Sequence, residues 1–232
     1  MSILECRGLS KNYGSVQALN NIDLSLESGR IVGLVGPNGS GKTTLIKLAQ
    51  HLLTPTAGMI TIDGMLPGPQ TKAFVSYLPD RDFLPQWMNL DQLTVFYHEF
   101  FADFNPAKSA DMLESLGVTG NMPLGKMSKG TREKVQLIFT MSREARVYLL
   151  DEPIAGVDPA TRDYILRTIL TNYSENALVL ISTHLITDVE PVLDEVVFLQ
   201  NGTIALHENA DALRERTGKS IDGYCREVYR CF

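Results

Sequence analysis

The chain has 232 residues, of which 44% are hydrophobic and 21% charged, as is ordinary for one globular domain. Its formal net charge of −6 argues against a nucleic-acid-binding protein, because such proteins usually carry a basic surface. The sequence has neither a signal-peptide pattern nor the run of about 20 apolar residues that spans a bilayer. Cys6, Cys225 and Cys231 form no disulfide framework. We therefore expect a cytoplasmic protein with reduced thiols.

Strands and helices alternate in the N-terminal part of the chain. The nearly continuous apolar run 30–35 predicts a strand buried on both faces of a sheet. A glycine-rich loop follows it, and then an amphipathic helix over about 41–53. Further strands are predicted at 3–9, 18–26, 58–63 and 73–78.

The segment from about 83 to 145 is rich in aromatic residues and helix formers, which predicts an inserted helical subdomain. Asn105-Pro106 is typical of a helix start, with asparagine as the N-cap and proline at the first helical position. Gly117 is a plausible stop for that helix. A later helix is predicted over about 130–145, with Ser128 near its N-terminus.

The C-terminal part continues the alternation. Strands are predicted at 147–150 and 177–182, and Asp158-Pro159 predicts a second capped helix start between them. Asn201-Gly202 predicts a type I′ turn between strands 195–200 and 203–206. The remaining expected elements are a short helix at 185–193, a final helix at 209–217 and a polar tail, so that 207–232 forms a short C-terminal tail. The whole chain, 1–232, is predicted to be one α/β domain with a mostly parallel sheet and an antiparallel β subdomain. The first strands and the final hairpin indicate the antiparallel region.

The loop after strand 30–35 fits the phosphate-binding pattern G-x-x-x-x-G-K-[ST] in the context that this pattern requires, between a buried strand and a helix. Its glycines let backbone N–H groups turn towards phosphate oxygens, and the helix N-terminus favours negative charge. Lys42 is expected to reach the β- and γ-phosphates, and the Thr43 hydroxyl to coordinate Mg²⁺. The predicted nucleotide-binding residues of this phosphate loop are Gly36, Pro37, Asn38, Gly39, Ser40, Gly41, Lys42, Thr43 and Thr44.

Two acids, Asp151 and Glu152, follow the apolar strand 147–150. A carboxylate at the end of such a strand can hold Mg²⁺ beside a nucleotide. The next acid can then orient and activate the attacking water. Together with the phosphate loop, this pair indicates a P-loop nucleoside triphosphatase with a RecA-like core.

Between these two motifs lies Met127-Ser128-Lys129-Gly130-Thr131, which resembles the Leu-Ser-Gly-Gly-Gln signature of ATP-binding-cassette (ABC) proteins. Only Ser128 and Gly130 are identical to that signature. The resemblance covers nearly the whole chain. It implies that Tyr13 stacks on adenine, that His184 contacts the γ-phosphate, and that Ser128 and Gly130 serve the ATP of a second ABC subunit.

Other residues fit or depart from the same family pattern. Ala155-Gly156-Val157-Asp158 matches the family's D-loop, which crosses to the opposite subunit. Asp80 stands where the family usually has a glutamine that touches Mg²⁺ and the attacking water. An aspartate can coordinate Mg²⁺, but it donates no hydrogen bond while ionised. Asp80 is thus either an altered nucleotide sensor or a harmless variation.

The family resemblance implies an ATPase that powers a separate membrane-spanning permease, most like the subunits of bacterial ABC-2-type exporters. The protein is then expected to bind ATP and Mg²⁺, to form a homodimer or heterodimer, to bind no nucleic acid, and to be peripheral on the inner face of the cell membrane. Two alternatives remain open. One is a non-transport ABC ATPase of DNA repair or translation, and the other is a nucleotide-binding regulator with little hydrolysis.

Overall fold

The computed structural model describes residues 2–118 and 121–230, so Cys231 lies outside the described residues. The strands in this part of the chain are β1 Ser2–Tyr13, β2 Val16–Glu27, β3 Arg30–Val35, β4 Ala57–Ile62, β5 Val75–Leu78, β6 Val147–Asp151, β7 Leu178–Thr183, β8 Glu195–Gln200 and β9 Thr203–Asn209. The α-helices are α1 Lys42–Ala49, α2 Pro69–Lys72, α3 Leu90–Phe100, α4 Pro106–Ser115, α5 Lys129–Met141, α6 Pro159–Asn172, α7 Ile186–Val189, α8 Ala210–Thr217 and α9 Ile221–Arg230. Short 3₁₀ turns occur at Leu124–Lys126 and Glu190–Val192. None of the described helices is long and apolar enough to cross a membrane.

The larger sheet has the strand order β5-β6-β7-β3-β8-β9. Its strands are parallel except for β9, which pairs with β8 in the predicted hairpin across Asn201 and Gly202, both at positive φ. Apolar side chains cover both faces, with Val35 in the core on one face and Leu34 in the core on the other. The continuous apolar pattern of β3 thus reflects burial on both sides, as predicted.

The first strands form a separate antiparallel sheet, with the order β2-β1-β4. This sheet confirms the predicted antiparallel β subdomain, in which β4 pairs with β1 and completes a sheet separate from the parallel one. β1 and β2 are also longer than predicted. Tyr13 pairs with Val16, so only Gly14 and Ser15 form the turn, with Gly14 at φ 58°.

The predicted helical insertion contains α3, α4 and α5. Asn105 caps α4 through Lys108, and Gly117 follows the end of that helix at φ 68°, as predicted. The insertion is joined to the main sheet by Arg143, which is 4% exposed. Its guanidinium donates to both carboxylate oxygens of Asp103, at 2.7 and 2.9 Å, and to the carbonyl of Val75 at 2.8 Å.

The prediction of a polar tail after residue 217 is wrong. Residues 221–230 form helix α9, which packs on the core through Ile221 and Cys225, 0% and 4% exposed. The ring of Tyr224 lies 5.9 Å from that of Phe198 on β8. Apolar residues at 221, 224, 225 and 228 give this mostly polar segment a helical period, which is the signal that could have identified it.

Candidate functional site

The phosphate loop lies where β3 meets α1, and its glycines are required by its geometry. Gly39 and Gly41 have φ angles of 82° and 112°, which disfavour any residue with a side chain. A Cβ atom at Gly36 would lie 2.3 Å from the carbonyl oxygen of Leu199. The loop therefore wraps closely over the sheet and places the first N–H groups of α1 at its centre, as an anion-binding loop does.

Lys42 is almost fully buried, with 5% of its side chain exposed. Its Nζ donates to the carbonyl of Gly36 at 2.8 Å and lies 3.3 Å from Oε1 of Glu152. The ammonium is thus held at the mouth of the phosphate loop by a carbonyl and a carboxylate. This position allows it to meet an anion that enters the loop.

Asp151 and Glu152 are brought beside the phosphate loop by the parallel sheet. The β6 strand pairs with β7, and β7 pairs with β3, so the carboxyl ends of all three strands lie at the same edge. This edge carries the phosphate loop, the two acids and His184. Their convergence follows from the fold and agrees with the sequence prediction.

Asp151 is fully buried and accepts two hydrogen bonds on the same carboxylate oxygen. The hydroxyls of Thr43 and Ser182 donate to its Oδ1 at 3.0 and 2.6 Å. Burial raises the pKa of Asp151, the two hydrogen bonds oppose this shift, and the charges of Asp80 and Glu152 add to it. The second carboxylate oxygen, Oδ2, is buried without a hydrogen-bond partner.

These groups fit Mg²⁺. A carboxylate oxygen without a donor, next to the Thr43 hydroxyl, offers the hard oxygen ligands that Mg²⁺ prefers. Within the described residues, no three acidic, histidine or cysteine side chains cluster as a metal site. That is compatible with Mg²⁺, which is usually held by one or two protein ligands together with substrate phosphates and water.

Glu152 has an unusual backbone conformation, with φ at 51°. Such a conformation costs about 1–3 kcal/mol for a residue other than glycine and concentrates at functional sites. The backbone N–H of Glu152 stabilises it by donating to both the carbonyl and the hydroxyl of Ser182, at 3.1 and 3.0 Å. The side chain is thereby directed to His184, whose Nδ1 lies 2.8 Å from Oε2.

A cleft of about 350 Å³ opens above the phosphate loop. Among the residues that line it are Lys42, Thr43, Asp80, Glu152 and His184. Asp80, at the carboxyl end of β5, is exposed to solvent. The structure thus brings phosphate-binding, metal-binding and catalytic residues of the prediction into one cleft, and Asp151 lies behind it in contact with Thr43.

Six predicted nucleotide-binding residues are not among those that line this cleft: Gly36, Pro37 and Ser40 of the phosphate loop, and Tyr13, Ser128 and Gly130 outside it. Tyr13 is 46% exposed on the β1–β2 hairpin, with the Nζ of Lys11 5.4 Å from its ring centre. Ser128 is exposed and caps α5 by accepting from the N–H of Thr131 at 3.2 Å. Gly130 lies in the first turn of the same helix. Within one chain, the segment 127–131 serves as a helix start.

Sequence reasoning missed the role of Ser182. Its hydroxyl bridges Asp151 Oδ1 and the N–H of Glu152, and so positions both acids. The sequence shows only a serine at the end of a buried strand. Its contact with Asp151 depends on the β6–β7 register, in which residues 151 and 182 are partners.

The fold and the cleft define a P-loop nucleoside triphosphatase, and comparison with known proteins gives its family. The sequence pattern of the family described as "ABC transporter" matches residues 19–155, more than half of the chain. The chain belongs to the ABC transporter family. It is therefore an ATP-binding and ATP-hydrolysing subunit that powers transport.

Individual relatives agree with this assignment. The chain is 27% identical to the ABC transporter ATP-binding protein YtrB of Bacillus subtilis (strain 168), over 92% of this chain and 74% of YtrB. It is 28% identical to the SkfA peptide export ATP-binding protein SkfE of the same organism, over 88% of each chain. A solved structure of an ATP-binding subunit of an ABC transporter superposes with a TM-score of 0.87 at 26% identity, covering 98% of this chain and 100% of that one.

Proposed function

We propose that this chain is the ATPase subunit of a bacterial ABC-2-type exporter and acts at the inner face of the cell membrane through a separate permease. The observation that carries the ATPase assignment is the double contact of Glu152 with Lys42 and His184, at 3.3 and 2.8 Å. The exporter assignment rests on similarity to relatives whose names include a peptide export protein. The acidic net charge supports the expectation that no nucleic acid is bound.

Each group in the cleft has a role in this proposal. The backbone of residues 36–44 and the Lys42 ammonium bind the phosphates, and Tyr13 stacks on the adenine. Glu152 accepts a hydrogen bond from the attacking water and polarises it. His184 stabilises charge on the transferred γ-phosphoryl group. Positioning and charge stabilisation are what phosphoryl transfer needs most.

Mg²⁺ is assigned to Thr43 and Asp151, with Asp80 as an additional carboxylate that lines the same cleft. When bound, the ion would neutralise charge on the β- and γ-phosphates. Ser182 keeps Asp151 oriented towards it through the 2.6 Å hydrogen bond. The orphaned Oδ2 of Asp151 supports this assignment.

A second ABC subunit, of the same or another chain, completes the site. Ser128 and Gly130 are proposed to contact the γ-phosphate of the ATP held by the partner. Ser128 is exposed at the start of α5 and does not line the cleft of its own chain. Both facts favour a role towards a second subunit. ATP would then hold two subunits together, and hydrolysis would release them.

The permease is proposed to dock in a groove of about 350 Å³ between the helical insertion and the main sheet. Tyr77, Phe83, Tyr97 and Phe101 give this groove an apolar lining. Asp80 lines both the groove and the nucleotide cleft. A partner that moves the Asp80 loop can therefore influence the nucleotide site directly.

The test is purification of the tagged full-length chain from detergent-solubilised membranes, followed by identification of the partners and an ATPase assay. The proposal predicts a multi-span membrane protein as the main partner, and Mg²⁺-dependent hydrolysis. Phe83→Glu should weaken capture of that partner, whereas Glu175→Gln, an exposed change in the loop before β7, should leave capture unchanged. Recovery with ribosomes or DNA, and with no membrane protein, would contradict the proposal.

A further inference from the structure

The segment that carries His184 is attached to the C-terminal helices through one acid, Glu190. Helix α7 begins two residues after His184 and leads directly into the 3₁₀ turn that Glu190 opens. The side chain of Glu190 is 13% exposed. It therefore lies at the junction between the His184 segment and the end of the described chain.

Glu190 binds both C-terminal helices. Its Oε1 accepts from the N–H of Ile221 at 2.8 Å, and its Oε2 from the N–H of Asp222 at 3.3 Å. A carboxylate at a helix N-terminus satisfies unpaired N–H groups and interacts favourably with the helix dipole. Arg214 on α8 donates to Oε1 at 3.3 Å and to the carbonyl of Glu190 at 2.7 Å.

Packing connects the same elements. Ile186 and Val189 of α7 are 4% and 0% exposed and lie in one core cluster with Ile221 and Cys225 of α9.

Beside this packing is a cavity of about 360 Å³. Its walls include Gly36 and Pro37 of the phosphate loop, His184, and Asp222, Cys225 and Arg226 of α9. Helix α9 thus faces the same space as the phosphate loop and His184.

We propose that Glu190 is a positioning residue for ATP hydrolysis, which acts by clamping α7 to α9 and so holds His184 at Glu152. This inference rests on the role of His184 given under Proposed function. Glu190 is not among the residues that line the nucleotide cleft. Its effect is to fix the end of α7, the short helix that follows His184, and a small displacement of a catalytic group has a large cost in rate.

The test compares Glu190→Gln, His184→Ala and the double variant in a steady-state ATPase assay with the full chain. Glutamine keeps the size of the side chain but loses the charge that faces Arg214 and replaces one acceptor oxygen by a donor. We expect kcat to fall about tenfold while KM for ATP stays within about twofold, because the phosphate loop is untouched. Glu215→Gln, an exposed acid on α8, is the matched control and should leave both constants unchanged.

The double variant separates positioning from general destabilisation. If Glu190 acts through His184, Glu190→Gln should cause no further loss of kcat in the His184→Ala background. If the losses of kcat in the two single variants multiply in the double variant, or if Glu190→Gln has wild-type kcat, the inference is overturned and the proposed function stands. Wild-type kcat in His184→Ala would overturn the role of His184 and this inference with it. If Glu190→Gln fails to fold, Arg214→Gln tests the same clamp from α8 by the same cycle.

Discussion

The Oε2 atom of Glu152 lies 2.8 Å from Nδ1 of His184. The two residues come from the ends of β6 and β7, which are neighbouring parallel strands. The other oxygen of the same carboxylate lies 3.3 Å from the Lys42 ammonium. One acid thus contacts both a cation of the phosphate loop and the histidine of the next strand, at the point where a γ-phosphate would enter.

Glu152→Gln should abolish turnover and retain ATP binding. The amide keeps the shape of the side chain but polarises water poorly, and general-base groups contribute about 10²–10⁴-fold to rate. The measurement is kcat from phosphate release, alongside ATP affinity from fluorescent-nucleotide titration. Glu175→Gln makes the same chemical change at an exposed acid in the loop before β7 and serves as the control. Turnover at the wild-type rate would remove Glu152 from the catalytic role.

Lys42→Ala should weaken ATP binding about tenfold or more, because a hydrogen bond to a charged group contributes about 1.5–3 kcal/mol. The loss of the ammonium also leaves the Glu152 carboxylate without its cation, which adds repulsion towards the phosphates. Isothermal titration with ATP measures the affinity, and Lys219→Ala, at an exposed lysine between α8 and α9, is the control. Unchanged affinity would count against the assignment of the phosphate loop.

Ser182→Ala should raise the Mg²⁺ concentration needed for half-maximal hydrolysis. The Ser182 hydroxyl donates a hydrogen bond of 2.6 Å to Asp151 Oδ1. Without this hydroxyl, the buried carboxylate loses a hydrogen bond that orients it. We also expect a stability loss of about 1.5–3 kcal/mol, the contribution of a hydrogen bond to a charged group.

Ser76→Ala is the matched control for Ser182→Ala, because Ser76 is also a buried serine on a strand of the main sheet. Its hydroxyl donates a hydrogen bond of 2.8 Å to the carbonyl of Thr140. Thermal denaturation should show a comparable stability loss for both variants. A magnesium titration of ATPase activity should show a shift for Ser182→Ala only. An equal shift in both would mean that Ser182 acts through stability alone.

Much of the fold could be predicted because its signals are local. The caps at Ser128 and Asp158, the turn at Asn201-Gly202 and the glycines of the phosphate loop all have short-range causes, and the structure contains each of them. Buried strands were equally readable, because parallel strands covered on both faces have continuous apolar sequences.

The rest depended on contacts between distant segments. The pairing of β4 with β1 and the bridge from Ser182 to Asp151 follow from strand register, which no local pattern specifies. Helix α9 was missed because its polar residues outnumber the apolar ones that pack on the core. The link from Glu190 to Ile221 joins residues 31 positions apart, and only the folded chain brings them together.

Ser128 allows a test of whether two ABC subunits share one composite ATP site. Aspartate and asparagine are both good N-cap residues, so Ser128→Asp and Ser128→Asn should each preserve α5. Only aspartate adds a negative charge, which would face the γ-phosphate of a partner's ATP. In the Glu152→Gln background, Ser128→Asp should therefore block assembly and Ser128→Asn should permit it.

Sedimentation equilibrium of Glu152→Gln with Mg²⁺ and ATP is the most direct measurement. We expect a species of about twice the 25.7 kDa chain mass with ATP, a monomer with ADP, and a monomer with ATP when Ser128→Asp is added. If the chain pairs only with a different ABC subunit, the same species forms once that subunit, recovered with the permease, is supplied. A monomer with ATP in both mixtures, or a dimer indifferent to Ser128→Asp, would contradict the composite site.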